Sequence, residues 1–468
     1  MLISVALPLP LFREFTYAVP EPMIARAGIG SRVVVPVRGR RVIGIVVAIA
    51  EATADVVAKD ILEAPDEAPV VSAHLIELAR WMSDYYIAPL GLVLRTMLPA
   101  ALSAVKVPTP VHKERRVLRV ARELPSLLER DQLFKRAPKQ RALYEMLESL
   151  GGRAPIDHLV SQLGASPSAI SALTKRGIVD IELEVVARDP FLSRPISDQR
   201  HHEPTPLQRD AIMSLCEAGG GESFVLFGVT GSGKTLVYVE FLRKVVDEWG
   251  KTAIVLVPEI ALTPQTVDRF RAAFGDRIAV LHSGLSDGER YDAWLALARG
   301  EKRIAVGARS AIFAPLANLG AIIVDEEHEA TYKQGETPRY HAREVALVRG
   351  RREGAVVVLG SATPSLESWY NAERGRHHLL RLPGRVGGGV LPDVEVVDMR
   401  RADPMTHPKR VSPEEFALRY VLSEPLERKL ADRLARGEQS ILLLNRRGYA
   451  SFVQCNACGD VAICPNCN

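Results

Sequence analysis

Six mostly apolar residues, SFVLFG (Ser223–Gly228), run into VTGSG and then into the helical stretch KTLVYVEFLRKVV. The spacing Gly228-x-x-x-x-Gly233-Lys234-Thr235, placed after a strand and before a helix, is the pattern of a phosphate-binding loop. Gly228, Gly231 and Gly233 let backbone N–H groups face phosphates, and the helix N-terminus adds a favourable field. Lys234 is expected to reach the β- and γ-phosphates, and the Thr235 hydroxyl to bind Mg²⁺. A strand feeding a helix in this way belongs in a parallel sheet covered on both faces. TAIVLVP, RIAVLHS, RIAVGA, AIIVDEE and AVVVLGSAT agree, being apolar throughout rather than alternating. A doubly wound α/β domain is expected over 198–385.

AIIVDEEH delivers Asp325 to the C-terminal end of a buried strand, where such sheets present their chemistry. Asp325 is expected to hold Mg²⁺ through water. Glu326 is placed to orient or deprotonate the attacking water. Together with the glycine-rich loop, this pair implies hydrolysis of a nucleoside triphosphate, with Lys234, Asp325 and Glu326 at its centre.

The 468 residues are too many for one domain, so three or four are expected. Residues 1–104 open with short strand-like runs (LISVALPLP, SRVVVPVRG, RVIGIVVAIA) and continue into helix, which suggests a small β-rich domain. Arg32, Arg38, Arg40 and Arg41 cluster there without an acid and suit either a solvated strand edge or a nucleic-acid contact. Residues 105–197 hold three short amphipathic helices and the alternating run DIELEVVARDP, a pattern that resembles a winged helix. A second α/β unit is expected over 386–468, with strands at LPDVEVVDM and SILLLN. The net charge of +4 permits a polyanionic partner without requiring one. Four of the five cysteines sit in the last fourteen residues and Cys216 stands in an apolar helical stretch. That usage points to a reducing cytoplasm and a metal site rather than a disulfide framework. No stretch reaches the ~18–20 apolar residues of a membrane span, and prolines and charges break the apolar run MLISVALPLPLFREF, so it is not expected to be a signal peptide.

The DEEH run (Asp325, Glu326, Glu327, His328) followed by Ser361, Ala362 and Thr363 resembles the second and third motifs of superfamily 2 helicases, and Gln208 in EPTPLQRDAI matches their adenine-reading glutamine. LVPEIALTPQ, LHSGLSDGER, VGARSAIFAPL, ATYKQ with RYHAR, LLLNRRGYA and the opening VALPLP narrow the resemblance, over the whole chain, to the PriA family of replication-restart helicases. The resemblance implies an ATP-dependent enzyme that binds stalled or branched forks and single-stranded DNA, unwinds 3′ to 5′ and initiates primosome assembly. It also implies partners, namely single-stranded DNA-binding protein and primosome proteins, and a chain acting as a monomer. In the family, His328, Ser361 and Thr363 couple the ATP site to DNA. Tyr332, Lys333, Arg339, Tyr340 and Arg343 interleave aromatics with cations, a composition suited to bases and phosphates. Arg309 is a further backbone-contact candidate, with a structural ion pair as the alternative.

Two features depart from the family. Where its N-terminal domain grips a 3′ end with an acid between two aromatics, this chain has Phe15, Thr16 and Tyr17. A hydroxyl has no charge and no bidentate reach, so weaker discrimination of the 3′ end is expected. The second is the terminus CNACGDVAICPNCN. C-x₂-C-x₅-C-x₂-C has too short a gap for the usual single four-cysteine zinc site. The resemblance implies two half-sites for Zn²⁺, Cys455 with Cys458 and Cys464 with Cys467, whose partners lie in a continuation of the second lobe. The expectation is therefore a helicase cut short in that lobe. The alternative is a fork-binding module that holds ATP without unwinding.

Overall fold

A computed structural model describes residues 1–50, 58–104, 113–124, 126–135, 137–161, 163–186, 203–259, 264–282, 284–386, 393–398 and 423–443. The chain divides into two units, Met1–Gly388 and Gly389–Asn468.

The first unit begins with a five-stranded sheet. Its strands are β1 (Leu2–Ala6), β2 (Phe15–Ala18), β3 (Arg32–Val37), β4 (Arg40–Ala50) and β5 (Lys59–Asp60), in the order β3-β4-β1-β2-β5. The β3–β4 hairpin closes through Arg38 and Gly39 at φ of 48° and 79°. Positive φ at both turn residues matches the right-handed twist of the strands they join. Arg32, read above as a strand-edge or nucleic-acid arginine, is instead buried. Its Nε donates to Asp66 Oδ2 at 2.7 Å and its Nη1 to the Leu102 carbonyl at 2.9 Å. Helix α1 (Ala73–Tyr85) is capped by the Ser72 hydroxyl, and α2 (Leu90–Met97) follows. Leu75, Leu78, Ala79 and Met82 of α1 join one hydrophobic core with Trp294, Phe313 and Val345 of the following α/β layer.

Next come β6 (Lys113–Val120), α3 (Leu127–Phe134), α4 (Pro138–Ser149), β7 (Arg153–Pro155), α5 (Ile156–Ser161), α6 (Pro167–Lys175) and β8 (Val179–Val186). The strands form an antiparallel sheet, β7-β6-β8, around a core that includes Leu118, Tyr144, Leu147 and Leu173. Four short helices stand where three are expected from the sequence, because LLERDQLF forms α3.

The third layer system is α7 (Pro206–Cys216), β9 (Ser223–Gly228), α8 (Lys234–Arg243), β10 (Thr252–Leu256), α9 (Pro264–Phe274), β11 (Ile278–Leu281), α10 (Asp287–Ala298), β12 (Ile304–Gly307), β13 (Leu319–Asp325), α11 (Ala342–Glu353), β14 (Val356–Ser361), α12 (Leu366–Glu373) and β15 (His378–Leu382). All seven strands pair in parallel, in the order β11-β12-β10-β13-β14-β9-β15. The apolar runs are buried on both faces, as their composition requires. β14 lies between β13 and β9 and all three run parallel, so the phosphate loop and the acidic strand end open on one edge. Cys216 is partly buried against this core.

In the second unit, α13 (Glu424–Ala435) is capped by the Ser423 hydroxyl, and Lys429 pairs with Glu395. The two strands expected there do not form over 393–398 or 439–443. A strand needs a partner for its backbone groups, and none is supplied among the described residues.

Candidate nucleotide site and its link to the loop before α11

Gly233 caps α8 in the left-handed conformation, φ 81°, and a Cβ there would lie 2.4 Å from Gln208 Nε2. Only glycine meets both conditions. Buried Lys234 donates from Nζ to the Gly228 carbonyl at 3.0 Å and lies 3.6 Å from Glu326 Oε1. Thr235 is partly exposed on the first turn of α8. Gln208 is buried and braces the loop. Its Oε1 accepts from Thr205 N at 2.9 Å and its Nε2 donates to the Ser232 carbonyl at 2.7 Å. One N–H and one lone pair of that amide remain available. Sequence reasoning missed the segment after β15, where Val386 N donates to the Gly231 carbonyl at 3.0 Å and the Arg385 side chain approaches Gly231. No motif marks that segment.

Asp325 ends β13. Tyr238 donates to its Oδ1 at 2.9 Å, and Tyr332 donates to its backbone carbonyl at 2.7 Å. Burial, and then the neighbouring Glu326 charge, raise the Asp325 carboxyl above its ordinary value, while the Tyr238 hydroxyl pulls it back. A Cβ at Gly360 would fall 1.6 Å from the Tyr238 oxygen, so glycine at that place makes the Tyr238–Asp325 bond possible. Glu326 takes φ 44°, a left-handed backbone that costs a non-glycine residue of order 1–3 kcal/mol. The turn directs its carboxylate toward Lys234 rather than along the strand. These residues fit a magnesium-bound nucleotide. The Ser232 hydroxyl is buried with no hydrogen-bond partner among the described residues, and the carboxylate pair needs more positive charge than Lys234 supplies. Gly231, Gly233 and Lys234 would hold the phosphates, and the Thr235 hydroxyl and Asp325 the metal, which when bound neutralises charge building on the transferred phosphoryl group.

Glu327 and His328 leave this turn in different directions. His328 Nδ1 lies 2.8 Å from Ser361 Oγ, and Ser361 Oγ accepts from Thr363 N at 2.9 Å. Those residues, paired from sequence, are therefore joined. Glu327 is fully buried. It accepts from Arg343 Nη1 at 2.8 Å, Ser365 N at 2.7 Å and Ser368 Oγ at 2.9 Å. It thus ties the acidic turn to α11 and α12. Ser365 and Ser368 were not foreseen; the cap-like TPSLES was their only signal.

The loop before α11 differs from expectation. Tyr332 and Tyr340 are each only 1% exposed, so they are core residues rather than base-stacking surfaces. Tyr340 packs edge-on to Phe313 at 5.1 Å, and burial pushes its phenol up to about 12. Arg343, also read as a DNA contact, is buried with Glu327. Arg309 forms no ion pair among the described residues. It donates to the carbonyls of Thr331 and Lys333 at 3.1 and 2.8 Å and so braces the loop. Lys333 and Arg339 remain exposed.

Phe15, Thr16 and Tyr17 lie on β2. Alternation puts Thr16 on the opposite face from the two aromatics; Tyr17 is buried and donates to the Pro36 carbonyl at 3.3 Å, and Arg13 covers the Phe15 ring at 4.6 Å. Cys455, Cys458, Cys464 and Cys467 lie outside the described residues.

Residues 4–99 match the model of the 3′DNA-binding domain, and residues 205–371 that of the DEAD/DEAH box helicase. The fold and site thus define a helicase-type ATP-binding domain on a chain that also carries a 3′DNA-binding domain. Replication restart protein PriA of Bacillus subtilis is 38% identical over 97% of this chain and 63% of its own length. The Synechocystis protein of that name is 42% identical over 74% and 41%, and the Chlamydia pneumoniae one 36% identical over 97% and 59%. The chain belongs to the PriA family. It spans 41–63% of the length of these relatives.

Proposed function

We propose that this chain is the fork-binding and ATP-hydrolysing portion of a replication-restart DNA helicase, one that moves 3′ to 5′ and initiates primosome assembly. The observation that carries the reading is the convergence of Lys234 on Glu326 at 3.6 Å beside Asp325, partly buried at the end of β13. Lys234 holds the phosphates, Asp325 the metal, and Glu326 the water. Similarity to proteins named for replication restart supports DNA as the partner. The small sheet and helices within 105–197 serve as a winged helix against duplex DNA, and residues 1–104 take the 3′ end. Single-stranded DNA-binding protein and primosome proteins are partners, the chain acts as a monomer, and its setting is the cytoplasm. No helix among the described residues is long and apolar enough to cross a membrane.

The test is DNA-stimulated ATP hydrolysis by the 468-residue chain against Lys234→Ala. The reading expects forked DNA to raise the wild-type rate and Lys234→Ala to lose it. No difference between the two leaves a module that binds without hydrolysing. Two finer parts have separate tests. Cys455/Cys458 and Cys464/Cys467 each hold half of a zinc site, so metal analysis after dialysis should find little tightly bound zinc; one ion per chain would mean that the four thiolates close on a single metal. Thr16 weakens 3′-end selection, so forks ending in 3′-hydroxyl and 3′-phosphate should bind alike; strong discrimination would sink that part.

A further inference from the structure

We propose that the aromatic cluster at the C-terminal end of α1 is a stacking site for single-stranded DNA, continuous with the exposed cations of the loop before α11. The proposal rests on the reading of the chain as DNA-binding. Trp81 and Tyr85 are spaced i, i+4 and stack at 5.1 Å with planes 20° apart. Tyr86 meets Tyr85 edge-on at 4.9 Å and Trp81 at 6.0 Å. The fold does not need all of this surface, because α1 buries a different set, Leu75, Leu78, Ala79 and Met82. Tyr85 remains 62% exposed, and the next apolar residue, Ile87, is 74% exposed with φ 49°. A β-branched residue in that conformation is strained, and local structure is holding it there.

Tyr86 joins the cluster to the loop. Its phenol oxygen accepts from His341 N at 3.2 Å, and Lys333 Nζ lies 5.7 Å from the ring centroid. Lys333 also donates to the Arg339 carbonyl at 2.6 Å, which keeps the two cations on one short stretch. Glu344, whose charge reaches Tyr86, pairs at 2.9 Å with Arg343, which it shares with Glu327. An exposed ring, Tyr85, beside solvent-facing cations is the combination that binds unpaired strands, whose bases offer open faces. Bases inside a duplex are already stacked and offer none. The cluster therefore takes the stacking role that buried Tyr332 and Tyr340 cannot fill.

The experiment is anisotropy titration of a labelled oligothymidylate with the full chain at fixed salt. Tyr85→Ala and Tyr85→Leu should each weaken binding about tenfold, and Tyr85→Trp should restore it. The leucine variant keeps apolar bulk without a ring, which separates stacking from packing. If both variants bind like a wild type that binds well, the site is overturned and the DNA reading stands. A wild type that binds no single strand overturns both.

Discussion

Glu327 and Arg343 meet at 2.8 Å inside the protein, and the carboxylate is wholly shielded from solvent. One residue follows the water-activating candidate and the other opens α11 after the loop of Lys333 and Arg339, so movement at either end must disturb the pair. Breaking a buried pair from one side leaves an uncompensated charge, which costs about 3–5 kcal/mol. Glu327→Ala should lower stability to urea by less than that, because Glu344 at 2.9 Å still faces the Arg343 guanidinium. Glu327→Ala with Arg343→Met should lose less than the sum of the singles. A milder change, Glu327→Gln, should reduce DNA stimulation of ATP hydrolysis more than the DNA-free rate. Equal loss of both rates would make the pair structural only.

Glu326 is held in a left-handed backbone where glycine would be unstrained. Glu326→Gln should keep nucleotide affinity, measured with a fluorescent analogue, while hydrolysis falls ~10²–10⁴-fold, as for loss of a positioned base. Glu326→Gly should abolish hydrolysis too, yet be more stable by about 1 kcal/mol because the strain is relieved. Opposite signs for activity and stability at one residue are the signature to look for.

The geometry of the candidate nucleotide site was legible because its constraints are local. Gly233, Lys234 and Asp325 each sit at a strand or helix end that a short run of sequence defines. The parallel sheet was legible for a similar reason, since strands buried on both faces cannot alternate. What failed depended on distant partners. Arg32 and Arg343 read as free cations because Asp66 and Glu327 lie 34 and 16 residues away in sequence. Tyr332 and Tyr340 read as exposed because polar neighbours hide that the fold turns their rings inward. Tyr85 drew no attention because WMSDYY reads as an ordinary amphipathic helix end.

Arg32 is fully buried against Asp66 and the Leu102 carbonyl, joining β3 to the end of the segment that packs on the α/β layer. Asp66→Ala should lower the thermal midpoint of the N-terminal region by the equivalent of about 3–5 kcal/mol. Arg32→Met with Asp66→Leu should recover most of that loss, because apolar groups of similar volume need no counter-charge. Binding of forked DNA should survive the double change, since neither side chain is placed to meet a phosphate.

His377 sets a pH dependence. Its Nδ1 lies 2.7 Å from Ser223 Oγ, so it joins the start of β9 to the approach to β15. Burial is the main cause that lowers its pKa from the ordinary 6.5; the charges of Arg343 and Arg351 lower it further, while Glu344 and Glu327 oppose them. The unfolded chain therefore takes a proton at this histidine before the folded one does. Its contribution to stability is complete above about pH 6.5 and is lost as pH falls from there through the lowered folded value, by at most about 1.4 kcal/mol per pH unit. The urea midpoint of the wild type should fall between pH 7 and pH 5. His377→Asn, which cannot titrate, should show a flatter profile across the same range and cross the wild type at its acid end. Parallel profiles for the two proteins would place the acid sensitivity elsewhere.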